Sequence, residues 1–382
     1  MSARNSTLGE EMRSADLVVA GGGIVGLSCA WLLARTGASV TVVDPGDGGS
    51  RATWAAGGML APLGEAREPG PFLELALASL ALFPDFAAGV EAASGRAVGL
   101  HLNGKLLTAA TDDGVDRLAR RRDWLRADGH AVRWLDGAGA RALEPALSPR
   151  TRAGLLLEGN GRVDNRALQQ ALEVAADRAG VIRVRGRVAA VRSRGGRVVG
   201  VDLLGGGVLA APAVLLSAGA WSGTVEGLPR PLPVRPVKGQ MLALSAPGRP
   251  VSRVVTSPEA YLIPRDSERG PVVVVGATSE EAGFDLTPED EGQTALHRGA
   301  TALVPALAGA PVVERWAGLR PGTPDDLPVL GPDPELPGLF FATGHYRNGI
   351  LLAPATARAL AAWISGDAPA EMGAFAPDRF QA

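Results

Sequence analysis

The chain has 382 residues, which is enough for two domains of ordinary size. Its 38 basic and 40 acidic side chains give a formal net charge of −2, which argues against nucleic acid or an anionic membrane as a partner. The single cysteine excludes a disulfide framework, and the four scattered histidines do not indicate a metal site. Only two basic residues are lysines, Lys105 and Lys238, a bias that we interpret as compositional.

The N-terminal segment does not read as a targeting signal. Residues 1–14 are polar and include Glu10 and Glu11, so they lack the apolar core of a secretory signal. We expect a flexible leader there, with Met12 as an alternative start. The sequence contains no run of about 18 uninterrupted apolar residues, so no transmembrane helix is predicted. The cytoplasm is the expected compartment.

The first predicted elements form a strand–helix–strand unit. Residues 16–20 are a branched apolar run typical of a buried strand, and 27–36 read as a helix that ends at Gly37. A second branched strand, 39–43, runs into Asp44. This arrangement is a βαβ unit.

Further along the chain, helical and strand patterns alternate. Helices are predicted over 70–95 and 112–129, from a cap at Asp164 or Asn165, and over 350–364; strands are predicted within 181–204, at 213–216, through most of 231–277 and at 338–343. The fold class is therefore α/β (α+β overall), with a Rossmann-like domain assembled from separated segments. We predict this nucleotide-binding domain over 15–85, 155–222 and 313–382, and an inserted β-rich domain carrying helices over 86–154 and 223–312.

A dinucleotide motif lies between the first strand and helix. Gly21, Gly23 and Gly26 form GxGxxG, which permits a tight turn, close approach of a pyrophosphate and close helix–strand packing. The helix N-terminus then offers N–H groups to the phosphates. Asp44, at the end of the second strand, is positioned to accept hydrogen bonds from the ribose hydroxyls. A carboxylate there disfavours NADP, whereas the motif alone does not separate FAD from NAD.

Two small-residue segments favour FAD. RATWAAGGMLAP (51–62) follows Asp44, and SAGAWS (217–222) follows a buried strand, although either alone is compatible with an ordinary tight loop. The last strand and helix of the nucleotide-binding pattern come only at 339–364, which favours a flavoprotein arrangement.

Five motifs resemble the D-amino-acid oxidase superfamily of FAD-dependent oxidoreductases. They are GxGxxG with Asp44, AAGGMLAP, SAGAWS, WAGLRPGTPDDLPVLG (316–331) and GHYRNGILLAPATA (344–357). Within that superfamily they are most similar to the glycine oxidases of thiamine biosynthesis, over about 15–376. The resemblance implies a two-domain homo-oligomer, often a tetramer, with non-covalent FAD. It implies oxidation of glycine, sarcosine or small D-amino acids by oxygen to an imine and hydrogen peroxide. The imine feeds thiazole formation or hydrolyses to glyoxylate and ammonia.

The resemblance also assigns site residues. The carboxylate-binding arginine falls on Arg320, the active-site tyrosine on Tyr261 and a second substrate-side arginine on Arg347. The implied cofactor contacts are Gly21, Gly23, Ile24, Val25, Gly26, Asp44, Ala56, Gly57, Gly58, Met59, Val188, Ala218, Gly219, Trp221, Gly318, Arg320, His345, Tyr346, Arg347, Asn348, Gly349, Ile350 and Leu351. Related sarcosine oxidases attach flavin to a late cysteine. The only cysteine here, Cys29, lies in the first helix, which argues against a covalent bond.

The residue types suit an amino-acid substrate. Arg320 can hold a carboxylate through a bidentate pair and Tyr261 adds a neutral donor, although Arg320 could instead form a salt bridge with Asp325 or Asp326. Backbone N–H groups of 344–349 can face the flavin N1 and C2 carbonyl. The expected reaction is hydride transfer from the substrate α-carbon to flavin N5, without a dedicated base. Glu259 is the candidate contact for the amine.

Other functions stay open. A related enzyme would act on sarcosine, a D-amino acid or hydroxyproline, with oxygen or another acceptor, and a substrate panel with both acceptors separates these. A non-catalytic flavin-binding subunit of a larger complex would not bleach with any amine. An NAD-linked dehydrogenase would lack flavin absorbance at about 450 nm.

Overall fold

The chain folds around two main β-sheets in the computed structural model, which describes residues 15–46, 52–268, 270–366 and 370–380. The predicted leader over 1–14, and Arg51 of the first small-residue segment, lie outside these residues.

The first sheet has six strands and contains the βαβ unit. In sheet order its strands are β18 (Val329–Pro332), β19 (Leu339–Thr343), β12 (Ala213–Leu216), β1 (Leu17–Ala20), β2 (Val40–Asp44) and β8 (Ile182–Arg185). Every pair is parallel except β18–β19. Neighbouring strands come from the start, middle and end of the chain, so the sheet confirms the predicted assembly from separated segments.

Four helices build the core of this domain. They are α1 (Ile24–Ala34), α4 (Pro71–Ser94), α7 (Asn165–Arg178) and α9 (Gly349–Ser365). Their apolar faces bury side chains such as Leu27, Phe83 and Leu360 against one another and the sheet. By length and composition α4 could cross a membrane, but it packs against α7 and α9 as a core helix does.

The second sheet has eight strands, mostly antiparallel. In sheet order they are β17 (Val312–Gly322), β13 (Arg235–Ser245), β16 (Gly270–Gly276), β15 (Tyr261–Ser267), β14 (Val254–Thr256), β4 (Lys105–Ala109), β6 (Ala153–Leu157) and β5 (Val132–Asp136). The helices of this region are α5 (Asp112–Ala127), α6 (Gly137–Leu143) and α8 (Asp290–Leu303). A separate apolar core lies between this sheet, α6 and α8.

Smaller elements complete the fold. They are a three-stranded sheet of β9 (Val188–Arg194), β10 (Arg197–Leu203) and β11 (Val208–Ala210); the strand pair β3 (Met59–Leu60) and β7 (Gly161–Arg162); short helices α2 (Ala52–Ala55) and α3 (Pro62–Glu65); and 3₁₀ turns Gly219–Thr224, Pro305–Leu307 and Ala370–Phe375.

Local sequence signals explain several element ends. The Asp164 carboxylate accepts from the N–H groups of Arg166 and Ala167 and so begins α7, which selects Asp164 from the two predicted caps. Gly95 and Gly366 adopt left-handed backbone directly after α4 and α9, which allows each helix to end there.

Strand β17 bears on the predicted domain boundaries. It belongs to the eight-stranded sheet, although the predicted nucleotide-binding domain includes 313–382. The chain then continues into β18 of the six-stranded sheet. The boundaries themselves stay a prediction, and the consequence for the site is that Arg320 lies on the second sheet.

Candidate active site

A cavity of about 670 Å3 is lined by residues of both main sheets and of the segments that connect their strands. The first sheet contributes the turn after β1, the end of β2, the 3₁₀ turn at Gly219–Thr224 and the segment before α9. The second sheet contributes residues of β13, β15, β16 and β17. A cavity of this size is within the range of about 300–1,000 Å3 that is usual for ligand sites.

Two glycines of the GxGxxG motif, Gly21 and Gly26, lie in close contact with neighbouring atoms. Gly21 has φ of +112°, and a Cβ there would lie 2.4 Å from the Ser217 carbonyl oxygen. A Cβ on Gly26 would lie 2.0 Å from the Gly21 carbonyl oxygen. These two glycines are therefore required by the tight turn and by helix–strand packing, the roles that the motif predicts for them.

At positions 23 and 349, neither the backbone conformation nor the packing requires a glycine. Gly23 has φ of −73°, and a Cβ there would come no nearer than 3.4 Å to a neighbouring side chain. At Gly349 the nearest atom would be 3.7 Å away. Both line the cavity, at the N-terminal ends of α1 and α9. Close approach of a ligand to the backbone explains such glycines, so the cradle fits a dinucleotide whose charged groups face helix N-termini.

Asp44 presents a fixed carboxylate to the cavity at the end of β2. It accepts hydrogen bonds from the N–H of Gly22 at 2.7 Å and of Gly46 at 2.8 Å. These bonds orient the side chain. A carboxylate held in this way suits recognition of ribose hydroxyls.

The small-residue segment after Asp44 is held by side chains that sequence reasoning missed. Asn165 donates to the carbonyl oxygens of Thr53 at 2.6 Å and Trp54 at 3.1 Å. Arg265 from the second sheet donates to Asn165 Oδ1 and to the Gly57 carbonyl oxygen, the latter at 3.1 Å. Both domains therefore fix the wall of the cavity at this segment.

Arg320 points from β17 into the opposite end of the cavity. Its Nη1 donates to the carbonyl oxygens of Thr278 at 3.0 Å and Lys238 at 3.3 Å. Burial lowers the pKa of its guanidinium, and Tyr261 opposes this, but an arginine stays charged. Asp325, one of the alternative partners, pairs instead with Arg379 at 2.8 Å. Among the described residues no carboxylate lies within salt-bridge distance of Arg320.

Tyr261 begins β15 beside this arginine. Its hydroxyl lies 3.3 Å from the Met241 sulfur, to which it donates weakly. Burial raises the pKa of Tyr261, so its O–H stays neutral and able to donate to a ligand at neutral pH. Met241, on β13, is a wall residue that the sequence did not single out.

Arg347 and Tyr346 lie at the rim of the same end. The Arg347 guanidinium donates to the Tyr346 hydroxyl at 3.3 Å and lies 5.1 Å from the centre of its ring. Tyr346 has φ of +48°, a strained conformation for a tyrosine, and its N–H donates to the Pro321 carbonyl oxygen. The backbone thus fixes Tyr346, while Arg347 stays solvent-exposed.

His345 is a neutral wall residue. It is buried, and its Nε2 lies 3.1 Å from the Thr356 hydroxyl. Burial lowers the pKa of His345 to about 3, so it carries no charge at neutral pH.

Two carboxylates, those of Glu259 and Glu65, line the cavity. Glu259, the predicted amine contact, lies on the exposed turn between β14 and β15. Glu65, which sequence reasoning missed, ends α3 and lies 3.4 Å from Lys105 Nζ. Glu65 also acts electrostatically on Arg320, Tyr261 and Arg347. No motif points to it, because its proximity depends on the folding of α3 over β4.

Most of the predicted residues meet at this one cavity. The catalytic candidates Tyr261, Arg320 and Arg347 line it, together with Gly21, Gly23, Ile24, Val25, Asp44, Ala56, Gly57, Gly58, Met59, Val188, Ala218, Gly219, Trp221, Gly318, His345, Tyr346, Asn348, Gly349 and Ile350. Gly26 and Leu351 lie behind the wall. Gly26 packs α1 on β1, and Leu351 is buried in the core.

Comparisons with known proteins identify the family of the chain. Residues 16–363 match the family described as FAD dependent oxidoreductase. The glycine oxidase of Pseudomonas putida is 36% identical over 93% of this chain and 96% of its own length. The crystal structure of glycine oxidase from Geobacillus kaustophilus superposes with a TM-score of 0.89 at 33% identity, covering 97% of this chain and 100% of that one. The bifunctional protein ThiO/ThiG of Nostoc sp. is 38% identical over 91% of this chain but only 52% of its own length.

The chain belongs to the FAD dependent oxidoreductase family, which is the D-amino-acid oxidase superfamily that its motifs resemble. Within it, the chain is an FAD-dependent amino-acid oxidase similar to the glycine oxidases.

Proposed function

We propose that the chain oxidises glycine and small primary or secondary amines, such as sarcosine and small D-amino acids. The products are an imine and hydrogen peroxide, and the imine from glycine is iminoacetate, which hydrolyses to glyoxylate and ammonia. The observation that carries this proposal is Arg320, a half-buried guanidinium that lines the cavity and has no described carboxylate within salt-bridge distance. A substrate carboxylate satisfies that charge.

FAD is held without a covalent bond in this proposal. Gly21, Gly23 and the N-terminus of α1 would face its phosphates, Asp44 its ribose, and the N-terminus of α9 its ring. When bound, the flavin supplies the two-electron acceptor for the substrate α-carbon hydride, at N5, and passes the electrons to oxygen. Cys29 supports non-covalent binding because it is wholly buried in α1, and burial raises the pKa of its thiol to about 12.

The protein's own contribution is binding and orientation. Arg320 binds the substrate carboxylate. Its guanidinium is already held in place by two hydrogen bonds from Nη1 to backbone carbonyl oxygens. The neutral Tyr261 O–H donates to the same carboxylate, and Arg347 adds positive charge at the rim. No dedicated base is proposed, since an amine bound in its neutral form favours the transfer. Glu259 or Glu65 would contact that amine.

The biological role that we propose is supply of the imine for thiamine biosynthesis. The relative named bifunctional protein ThiO/ThiG supports this, although this chain spans about half the length of that relative. We further propose that the enzyme acts in the cytoplasm as a homo-oligomer, without nucleic-acid or membrane partners.

Substitution of Arg320 tests the proposal. Each hydrogen bond to a charged group contributes about 1.5–3 kcal/mol, so loss of a bidentate pair should raise the glycine KM at least about 100-fold. FAD affinity should change less than about threefold. The variant is Arg320→Leu, and the matched control is Arg315→Leu, which removes an exposed arginine of the same strand that pairs with Asp290.

The assay measures peroxide release and dye reduction with glycine, sarcosine, D-alanine and hydroxyproline. Turnover of glycine or sarcosine with oxygen, lost in Arg320→Leu and kept in the control, agrees with the proposal. An unchanged glycine KM in Arg320→Leu refutes the carboxylate assignment, and turnover only with the dye would make the chain a dehydrogenase.

A further inference from the structure

Lys238 is a rare residue type in this sequence and a fully buried charge beside three carboxylates. It is one of only two lysines, and its side chain is 0% exposed within strand β13. Its Nζ lies 2.5 Å from Asp285 Oδ2, and 3.8 Å from both Glu280 Oε2 and Glu289 Oε1. All three carboxylates belong to residues 277–289, the segment between β16 and α8, which we call the acidic strap.

The buried ammonium and the strap depend on each other. A buried charge is costly unless it is paired and hydrogen-bonded, and here the strap supplies every carboxylate within 4 Å among the described residues. The three carboxylates are themselves 27–63% exposed, so the strap covers Lys238 from the solvent side. A compact ammonium with three donors suits this arrangement better than a planar guanidinium. Burial by itself lowers the pKa of Lys238. The three carboxylates, Asp285 foremost, raise it, and the net effect is a raised pKa.

The strap reaches the substrate arginine through its backbone. The Lys238 N–H donates to the Glu280 carbonyl oxygen at 2.9 Å, and the Glu280 N–H donates to the Lys238 carbonyl oxygen at 3.0 Å. Thr278 of the strap provides the carbonyl oxygen that accepts from Arg320 Nη1 at 3.0 Å. One of the two acceptors that orient Arg320 therefore belongs to the strap, at a residue that also exchanges hydrogen bonds with Gln240 of β13.

The strap also reaches the cofactor end of the cavity. Phe284, at the middle of the strap, stacks on Trp221 with ring centres 5.4 Å apart and an angle of 30° between the rings. Trp221 lines the cavity. The strap thus contacts Arg320 through Thr278 and the cavity-lining Trp221 through Phe284, and Lys238 is its buried charged partner.

We propose that Lys238 is a positioning residue for substrate binding. Its ammonium docks the acidic strap, and the docked strap fixes Arg320 in the orientation that accepts a substrate carboxylate. The inference rests on the proposed function, because it takes Arg320 as the carboxylate site.

Lys238→Met and Asp285→Asn test it in the FAD-loaded enzyme. The first keeps the length of the side chain without its charge, and the second removes the nearest carboxylate at an exposed position, 42% accessible, where folding is not at risk. Both should raise the glycine KM about 10-fold or more, and the inhibition constant of acetate by the same factor, with kcat changed less than about threefold.

A second readout follows the strap without turnover. A glutamate-specific protease can cut after Glu280, Glu281 and Glu289, and cleavage there should be at least about fivefold faster in both single variants than in the wild type. For the kinetic readouts the matched control is Glu281→Gln, which removes a strap carboxylate that pairs with the exposed Arg235 rather than Lys238; this variant also lacks a cleavage site and is not compared in the protease assay. The control should leave the glycine KM and acetate inhibition unchanged.

The outcomes separate the two claims. If Arg320→Leu, measured alongside, leaves the glycine KM unchanged, the proposed carboxylate site fails. If Arg320→Leu raises the KM while Asp285→Asn leaves KM, acetate inhibition and cleavage unchanged, the positioning role of Lys238 is overturned. A rise in KM without a matching rise in the acetate constant also overturns it, since the defect would then not lie at Arg320.

Discussion

Removal of one hydroxyl, by Ser79→Ala, should weaken both the core and the cofactor site. Ser79 is wholly buried in α4, and its hydroxyl donates to the Leu351 carbonyl oxygen at 2.6 Å and accepts from the Ala355 N–H at 3.2 Å. The Leu351 carbonyl and the Ala355 N–H lie on either side of Pro354 along α9. Pro354 has no N–H to continue the hydrogen bonding of the helix. The hydroxyl therefore holds the first turns of α9 at the proline, and Gly349 of the first turn lines the cavity.

The magnitude follows from the two bonds. A buried group left without its partner costs about 1–3 kcal/mol, and the two groups freed by Ser79→Ala can partly satisfy each other. We expect a loss of about 2–3 kcal/mol in the free energy of unfolding. With an unfolding entropy of about 2.1 cal/mol/K per residue, a chain of 382 residues should melt about 3 °C lower. FAD affinity should fall about 10-fold, because the N–H groups at the start of α9 become less ordered.

Calorimetry of the holoenzyme and fluorescence titration of the apoprotein with FAD measure these two effects. Ala78→Ser is the matched control, since it places a hydroxyl at the neighbouring, exposed position of the same helix. The reasoning is refuted if Ser79→Ala melts within about 1 °C of the wild type and binds FAD equally well.

Four further changes have defined outcomes. Gly23→Ala should weaken FAD binding at least about 10-fold in titrations while the apoprotein melts unchanged, because a Cβ there meets no protein atom nearer than 3.4 Å; a destabilised apoprotein would contradict this. Tyr261→Phe should raise the glycine KM about 3- to 10-fold in steady-state kinetics, and an unchanged KM would remove its hydroxyl from substrate binding. Because burial lowers the pKa of His345 from 6.5 to about 3, the unfolded chain binds a proton between these values that the folded chain does not. The free energy of unfolding should therefore fall as the pH drops below about 6.5, by up to about 1.4 kcal/mol per pH unit. The melting temperatures of His345→Gln at about pH 7 and 5 should differ less than those of the wild type. An equal difference in the two proteins would disprove the burial argument. Acid precipitation should release FAD from the wild type and from Cys29→Ser alike, whereas flavin retained only by the wild type would indicate a bond to the buried thiol.

Local sequence patterns predicted the elements that hold the cofactor end. The strand at 213–216 has the predicted limits, and α7 begins directly after Asp164, one of its two predicted caps, because branched runs and a side-chain cap act over a few residues. The glycine motif likewise depends on its immediate strand and helix. Such signals do not say which strands become neighbours. The pairing of β14 with β4, whose residues lie about 150 positions apart, is set by the packing of the whole second sheet.

The parts of the site that the sequence did not reveal depend on long-range contacts. Ser79 and Leu351 are 272 residues apart, and Asn165 and Thr53 are 112 apart, so no local pattern joins them. The scarcity of lysine was the one available signal for Lys105 and Lys238. Both are almost wholly buried beside carboxylates, so at these two positions lysine is a feature of packing and charge rather than of composition alone.

The central claim is that this cavity oxidises a small amino acid at FAD, and anaerobic mixing tests it most directly. The purified protein should absorb at about 450 nm, and this absorbance should bleach when glycine or sarcosine is added without oxygen and return when air is admitted. Arg320→Leu should show the same starting spectrum and bleach only at much higher glycine concentration. A yellow protein that no small amine bleaches, or a protein that binds no flavin, would contradict the account.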